Sequence, residues 1–557
     1  MAADSNPALA QAQALVDALQ ARPTDWHLPG MGTVASPAER LETHISWLLL
    51  AGERVLKFKK PLNLGFLDFT TLAQRREACE AELRLNRRTA PALYLGLVAV
   101  LGTPEAPRLV MAEDLPAETA NTAHPPQTAE AGATGVLEWA VLLRRFAPDA
   151  LLAEQAARGT LTPAHIDALA AQVAALHAQA EPLTPAHAEA PWGTAAAMHA
   201  AVADNFATLA PFVQGTAHAA PCEALRAWSE AQGQRLAGLM DQRRAQGWVR
   251  EGHGDLHLGN LVLLDGQPRL FDAIEFNAAF RWTDTVFDMA FLVMDLQVRG
   301  QSALAARFLD AYLAHTGDYA GLALLPYALA YRAMVRAKVA ALQAMQQPPE
   351  AQAPLRAELA RYLDYAMGLL QPRPPVLWLA TGVSGSGKSS QSQGLIEAQG
   401  IVRTKADVER KRLFGLDPLS RSAAQTPVQG GIYTPEATAR TYERLEDLAR
   451  TVLQAGCAVL VDATCLQRSQ RARFQALAEA VGVPFRLLAF EAPVEVLRAR
   501  IVQRAAQGQD PSEADLAVLD AQRAQREPLA PGEQAQALAV DTTAPVDWAQ
   551  VLPAGWR

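Results

Sequence analysis

Residues 251–276 read EGHGDLHLGNLVLLDGQPRLFDAIEF. His253, Asp255 and Asn260 follow the order H-x-D-x-x-x-x-N, and a further carboxylate, Asp272, lies beyond a hairpin signal. Asn260–Leu264 and Pro268–Asp272 are mainly apolar runs joined by Asp265-Gly266, a dipeptide suited to a tight turn with positive φ, so the hairpin is expected to bring Asp272 back beside Asn260. This order suits phosphoryl transfer. One carboxylate takes the proton of an attacking hydroxyl, while an amide and a second carboxylate hold magnesium against nucleotide phosphates. A single Asp or Asn in a loop is ordinarily a turn residue; the combined spacing is what favours chemistry.

HGDLHLGN followed by FDAIEF resembles the catalytic and metal-binding segments of the aminoglycoside phosphotransferase-like kinases, which have the protein-kinase-like fold. The resemblance implies Asp255 as catalytic base, Asn260 and Asp272 as magnesium ligands, and His253 as an architectural residue of the loop. Asp288, in FDMA, resembles the buried Asp that braces such a loop.

Toward the N-terminus, two strand-like runs, His44–Leu50 and Arg54–Lys60, flank Ala51-Gly52-Glu53. A kinase-like site needs a lysine on a central strand for the α and β phosphates and a helix carboxylate to hold it. Lys57 is the expected lysine, with Lys59 its competitor on the same strand face, because side chains two apart return to one side. The expected carboxylate is Glu82, preferred over Glu80 and Glu77, on a helix starting near Thr70. No G-x-G-x-x-G precedes Lys57, a departure from protein kinases that still leaves room for a phosphate-covering turn near Thr43–Ser46. Further strands are expected at Val98–Leu101 and Arg108–Met111, and EWAVLLRRF (138–146) is expected to lead to the hinge between lobes. Between them Pro116–Gly135, poor in large apolar residues, reads as a surface insertion.

From Leu151 to Met240 the pattern is helical, with Thr162-Pro163 starting a helix whose Ile166, Leu169, Val173 and Leu176 share a face. His177 beside that face reads as a packing or surface residue. Further on, Arg332 and Arg336 stand four apart and share a helix side. They would either form ion pairs or present a cationic surface to an anionic acceptor. Residues 371–375, QPRPP, read as a linker.

Val376–Ala380 is an apolar, β-rich run that leads into GVSGSGKS, comprising Gly382, Val383, Ser384, Gly385, Ser386, Gly387, Lys388 and Ser389, with Ser390 next. The pattern matches G-x-x-x-x-G-K-[ST] in full. Its glycines let backbone amides curl around phosphates at a helix start, its lysine reaches the β and γ phosphates, and Ser389 offers a hydroxyl to magnesium. Strands at Gly400–Arg403, Cys457–Val461 and Pro484–Phe490, alternating with helices, continue an α/β pattern. Asp462 ends one of these strands, as a second acidic partner for the metal would. GVSGSGKS, ADVERKR, VLVDAT and the helix bearing Arg500 and Arg504 together resemble the P-loop kinases grouped with zeta toxins, gluconate kinases and polynucleotide 5′-kinase modules. That resemblance implies Asp407 as base toward an acceptor hydroxyl, Arg410 near substrate or phosphate, and Arg500 and Arg504 as lid arginines. Lys405-Ala406 stands where the group usually has Arg-Ser, so the acceptor is less well indicated than ATP.

A chain of 557 residues is too long for one core. Half its residues are hydrophobic and no run approaches a membrane span, so a globular protein is expected. The N-terminal residues do not read as a signal peptide, and the four scattered cysteines read as reduced thiols, together suggesting a cytoplasmic location. Net charge of −8 argues against stable nucleic-acid binding.

The expected architecture is therefore an α+β protein-kinase-like domain over residues 1–370, with lobes at about 1–146 and 147–370. After the linker comes an α/β P-loop domain with a parallel sheet over 376–557. That order resembles bacterial proteins in which an aminoglycoside phosphotransferase-like kinase is fused to a P-loop ATP-binding domain. The expected cofactors are ATP and magnesium, and the expected partners are small-molecule hydroxyl acceptors. The alternative is one active kinase domain regulated by a P-loop ATPase switch.

Overall fold

A computed structural model of the chain describes residues 7–556 apart from 32–33, 35–36, 116–134, 185–186, 188, 420–431 and 508–513. The surface insertion expected at Pro116–Gly135 lies outside the described residues except for Gly135. The chain divides into two compact units. One comprises the residues up to Leu161 together with Gln179–Thr194 and Met240–Asp288; the other comprises Thr162–Ala178, Ala195–Leu239 and the chain from Met289 onward.

The first unit is built on an antiparallel sheet of β1 (Glu39–Glu42), β2 (Ser46–Ala51), β3 (Arg54–Lys59), β4 (Tyr94–Thr103), β5 (Ala106–Met111) and β6 (Glu138–Arg144), in the order β1-β2-β3-β6-β4-β5. β2 starts two residues later than expected because Thr43 closes a turn: its hydroxyl accepts from the Ser46 amide at 3.0 Å, and its own amide donates to the Ser46 carbonyl at 2.9 Å. The period of two along β3 sends Leu56 and Phe58 to a core shared with Leu15, Leu19, Trp26 and Trp47. Val55 faces the other way, toward Cys79, Tyr94 and Val141. Lys57 and Lys59 share the side of Val55, so two cations point at the helix Leu72–Arg87. That helix begins with a capping box between Thr71 and Gln74, one turn residue later than the sequence suggested.

Arg75 fastens the helix to β6. Its guanidinium contacts both Glu138 carboxylate oxygens at 2.9 Å and donates to the carbonyls of Phe69 and Thr70. Both side chains are buried. Burial pushes the Glu138 carboxyl above its ordinary range, and Arg75 opposes this only in part.

The stretch 249–284 supplies two small antiparallel pairs, β7 (Val249–Glu251) with β10 (Trp282–Asp284), and β8 (Leu261–Leu264) with β9 (Gln267–Leu270). Asp265 at φ +51° and Gly266 at φ +74° form the tight turn expected of that dipeptide.

The second unit joins helices, among them Pro163–Gln179, Ser302–Thr316, Leu325–Gln346 and Ala353–Gly368, to a parallel sheet. Its strands are β11 (Leu377–Thr381), β12 (Val402–Lys405), β13 (Val459–Asp462), β14 (Phe485–Glu491) and β15 (Ala537–Asp541), in the order β12-β13-β11-β14-β15. Trp378, Ala380, Leu460, Leu488 and Phe490 put the strands' apolar side chains into one core with Leu395 and Trp548. A first strand running into a glycine loop and helix, with parallel neighbours on both sides, is the α/β P-loop arrangement. The six-stranded sheet with one packed helix, followed by a loop-and-hairpin segment, is the protein-kinase-like arrangement. No helix among the described residues is long and apolar enough to cross a membrane. The four cysteines are unpaired, and three of them are buried.

Glu138→Ala would leave the Arg75 guanidinium buried beside carbonyls alone. The expected loss is about 3–5 kcal/mol in the urea unfolding of the first unit, with most of it recovered in Glu138→Leu/Arg75→Met.

Candidate active sites

The front site assembles around one carboxylate. Glu82, fully buried on the helix Leu72–Arg87, receives Lys57 Nζ at 2.8 Å on Oε1 and Lys59 Nζ at 2.5 Å on Oε2. Lys57 also reaches Asp272 Oδ1 at 2.6 Å, and Lys59 is bonded to Glu275. Burial alone would discharge Lys57, but Asp272 and Glu82 hold it charged well above the ordinary lysine value. Burial would likewise raise the Glu82 carboxyl, yet the two lysines hold it at about 2. Burial raises Glu275, with Lys59 opposing. Glu80 pairs with Arg76 on the surface instead.

The hairpin returns Asp272 beside Asn260: the Phe271 amide donates to the Asn260 carbonyl at 3.0 Å. Asp272 itself takes φ +59°, a conformation costly for a residue with a Cβ and found where a site over-determines the backbone. Its amide is held by the Tyr94 hydroxyl at 3.1 Å, and the next amide, of Ala273, by Asn86 Oδ1 at 2.9 Å.

Asp255 stands half-buried with the Asn260 amide donating to its carboxylate at 2.8 Å and to its carbonyl at 2.9 Å. His257 Nε2 lies 3.3 Å from the same carboxylate oxygen. With its nitrogen turned to Asp255, the Asn260 amide has its oxygen as the atom suited to a hard cation. The Asp272 carboxylate supplies a second oxygen of the same kind, so the donor set fits magnesium.

Two buried groups hold this loop. Asp288, fully buried, accepts from the amides of His253 and Gly254, both at 2.8 Å. His253 Nε2 lies 2.9 Å from the Phe271 carbonyl, which can only accept, so Nε2 carries the proton and Nδ1 accepts from the Asp255 amide at 3.4 Å. Burial lowers the His253 pKa, consistent with that neutral tautomer. Gly254 has φ +85°, and a Cβ there would lie 2.9 Å from the Phe280 carbonyl.

Sequence reasoning missed Glu251 and its partners. Arg84 grips the Glu251 carboxylate with two bonds of 2.8 Å, Arg281 Nε adds one of 3.0 Å, and Arg88 reaches the Glu251 and Gly252 carbonyls. Burial would raise Glu251, but hydrogen bonds and charge from Arg84 and Arg281 hold it at about 2. These arginines bind the helix carrying Glu82 to the start of the Asp255 loop. No local signal marks such partners, since Arg84 and Glu251 lie 167 residues apart.

The rear site is the loop 382–389 at the end of β11. Gly382, Gly385 and Gly387 have φ of +151°, +80° and +81°, and a Cβ on Gly382 or Gly385 would approach a backbone carbonyl to 2.7 or 2.8 Å. Only glycine fits, and the loop curls as an anion cradle requires. Lys388 Nζ donates to the carbonyls of Gly382 at 2.8 Å and Val383 at 3.0 Å, and burial lowers its pKa. The Ser384 amide donates to Gln522 Oε1 at 2.7 Å, Thr542 Oγ1 donates to the Ser386 carbonyl at 2.9 Å, and exposed Ser390 bonds back to Gly387. Ser389 lies in the first turn of the helix Lys388–Gln399.

Asp462 is buried at the end of β13, and its Oδ2 has no hydrogen-bond partner among the described residues. An orphaned carboxylate oxygen beside a phosphate loop fits a divalent cation or its water. Asp407 lies one residue inside the helix Ala406–Leu413, whose N-cap is Lys405, so it is not the capping residue. Arg500 Nη1 donates to Thr542 Oγ1 at 3.0 Å and lies 3.3 Å from the Gly385 carbonyl. Arg504 is tied to the Ala514 carbonyl at 2.9 Å, although its charge still bears on Lys388. Arg410 donates to the Ile432 carbonyl and lies over the Tyr433 ring. The cationic side suggested by Arg332 and Arg336 resolves into packing: Arg332 is buried over Phe291, and Arg336 pairs with Glu358.

A protein-kinase-like fold with a paired lysine, carboxylate and loop aspartate, together with a phosphate loop on a parallel sheet, defines an ATP-dependent kinase whose cofactors are ATP and magnesium. The AAA domain family matches residues 377–529. The chain is 30% identical over 490 residues to the uncharacterized protein Rv2004c of Mycobacterium tuberculosis, covering 87% of this chain and 89% of that one, and it belongs to the same family. It is also similar to the adenylyl-sulfate kinase of Myxococcus xanthus, 32% identical over 129 residues, or 23% of this chain and 63% of that protein. Among solved structures, Plasmodium vivax ethanolamine kinase aligns over 64% of this chain and 86% of its own, at 10% identity and a TM-score of 0.38.

Glu82 and Glu251 have folded pKa values near 2 against an ordinary 4.5, so the stability they add is complete above about pH 4.5 and is lost as pH falls toward 2. In an acid titration followed by tryptophan fluorescence, Arg84→Met/Arg281→Met, which leaves Glu251 the Arg88 guanidinium at 3.8 Å, is expected to move the acid unfolding midpoint upward by roughly 0.5–1 pH unit.

Proposed function

We propose that the chain is a bifunctional phosphotransferase, each half passing the γ-phosphate of ATP to a hydroxyl of a small-molecule acceptor. The front enzyme would occupy residues 1–370 and the rear one 376–557, joined by 371–375. In front, Asp255 accepts the acceptor's hydroxyl proton, Asn260 and Asp272 hold magnesium, and Lys57, oriented by Glu82, neutralises the α and β phosphates. Behind, the amides of 382–389 and Lys388 cradle the phosphates, Ser389 and Asp462 hold magnesium, and Asp407 serves as base. Arg500 and Arg504 lie on the helix that would close over the phosphates. Magnesium-bound ATP supplies the transferable phosphoryl group at each site.

The observation that carries the reading is the convergence of Lys57, Glu82, Asp272, Asn260 and Asp255 from four separate segments through bonds of 2.6–3.0 Å, with the Phe271 amide on the Asn260 carbonyl joining the two sides. In such a site catalysis is almost entirely positioning and charge stabilisation, and the proton acceptor contributes a further 10²–10⁴-fold or so. Asp255 is oriented for that task by the Asn260 amide, which leaves the second role of Asn260, as a ligand, to its oxygen. The alternative is a rear half that hydrolyses ATP as a switch, with no acceptor of its own.

A metabolite extract incubated with labelled ATP tests both halves. Asp255→Asn is expected to lower one labelled product by roughly 10²–10⁴-fold and Lys388→Ala to abolish a different one. Acceptor-independent ATP hydrolysis lost only in Lys388→Ala would favour the switch, and unchanged products in both variants would end the two-kinase reading.

A further inference from the structure

Arg403, on β12, is buried with all five of its N–H donors engaged. Nη1 donates to the Ser389 carbonyl at 2.8 Å and Ser392 Oγ at 3.1 Å, and Nη2 donates to Gln393 Oε1 and Asp310 Oδ2, both at 2.6 Å. Nε completes the set on Asp310 Oδ1 at 3.2 Å. Asp310 is equally buried, yet it belongs to the helix Ser302–Thr316, which precedes the phosphate loop in the chain and lies outside the region matched by the AAA domain. Its carboxylate also stands 3.5 Å from Lys405 Nζ, two residues before Asp407, and Lys405 is the register partner of Asp462. Neighbouring residues repeat the attachment. The Tyr319 hydroxyl donates to the Arg403 carbonyl at 3.2 Å, Arg412 donates to the Ala314 carbonyl at 2.7 Å, and Arg307 pairs with Glu397 on the phosphate-loop helix at 2.9 Å.

We propose that Asp310 is a positioning residue of the rear nucleotide site: it holds the Arg403 guanidinium, which fixes the Ser389 carbonyl and so the helix start from which the Ser389 hydroxyl meets magnesium. The inference rests on the rear-site reading above. Among the described residues Asp310 is the only carboxylate bonded to Arg403, through both of its oxygens; the other three donor contacts end on neutral oxygens. A buried cation that loses its counter-charge retains those contacts poorly, so the first turn of the helix loses its registration with β12. The rear reaction thus depends on a side chain supplied from the helices of the front half. A residue that acts on a metal through its ligand changes metal affinity more than the remainder of nucleotide binding.

The test uses the full-length chain and a fluorescent ATP analogue, with the rear site defined as the binding lost in Lys388→Ala. In Asp310→Asn, analogue binding in EDTA is expected to stay within twofold of wild type, while the magnesium concentration for half-maximal tightening rises about tenfold. Thermal melting checks that the variant is folded. Asp310→Glu keeps the charge but displaces it by a methylene, and is expected to raise the magnesium requirement about threefold; it decides the matter if Asp310→Asn does not fold. An unchanged magnesium requirement in the folded variant, or an equal loss of binding with and without magnesium, would overturn the proposal. Binding unaffected by Lys388→Ala would instead remove the rear site itself, and this inference with it.

Discussion

The Glu82 carboxylate is shared by two buried ammonium groups. A buried carboxylate facing a single lysine would leave one of its oxygens without a counter-charge. Here each oxygen has its own cation, and each cation has a second carboxylate, Asp272 for Lys57 and Glu275 for Lys59. Desolvation of so many charges is expensive, and it is offset only because every one of them is paired at short distance. The network cannot be satisfied unless β3, the helix Leu72–Arg87 and the segment after β9 hold fixed positions. It therefore acts as a positional constraint on three elements far apart in sequence, and it explains why Asp272 tolerates a left-handed backbone.

The Asp255 loop is held by a different kind of force. Asp288 and the neutral His253 bind backbone amides and a carbonyl, so they fix where the loop lies through its main chain and leave the Asp255 carboxylate to Asn260 and His257. The Arg84–Glu251–Arg281 cluster then secures the loop's entry to the helix that carries Glu82. Orientation of Asp255 and placement of Lys57 are consequently joined through one helix.

Much of this was legible in sequence because the signals were local. The Asp265-Gly266 turn, the spacing from His253 to Asn260 and the phosphate loop each lie within a short window, and the backbone physics of glycine and of period-two strands determines them. Lys57 and Lys59 could not be separated by periodicity, since both face the helix, and the structure places both on the same carboxylate. Tyr94, Asn86 and Glu251 stayed invisible because their partners come from distant segments, and a polar residue in a charged helix carries no mark of where it will be buried. The four-residue spacing of Arg332 and Arg336 correctly indicated one helix side, but spacing says nothing of what that side packs against. In Arg332 the guanidinium lies over an aromatic ring, which no charge pattern foretells.

The two lysines proposed to meet phosphate rest against opposite kinds of partner. Lys57 is paired with carboxylates and held charged well above its ordinary value, so a phosphate must compete with Asp272 for an ammonium already compensated. A cation held by Asp272 would remove that competition by drawing the carboxylate to itself, and would make metal and phosphate mutually favourable in front. Lys388 instead leans on loop carbonyls, and burial lowers its pKa with Asp462 and Asp407 opposing only in part, so among the described residues an arriving phosphate would have neutral oxygens to displace. The nearby Asp462, with an oxygen lacking a partner among the described residues, is the complementary excess. Opposite and incompletely compensated charges at the end of one sheet would be relieved by a metal and a polyanion taken up together, so the rear half would reach by backbone geometry the coupling that the front half would reach by shared ion pairs.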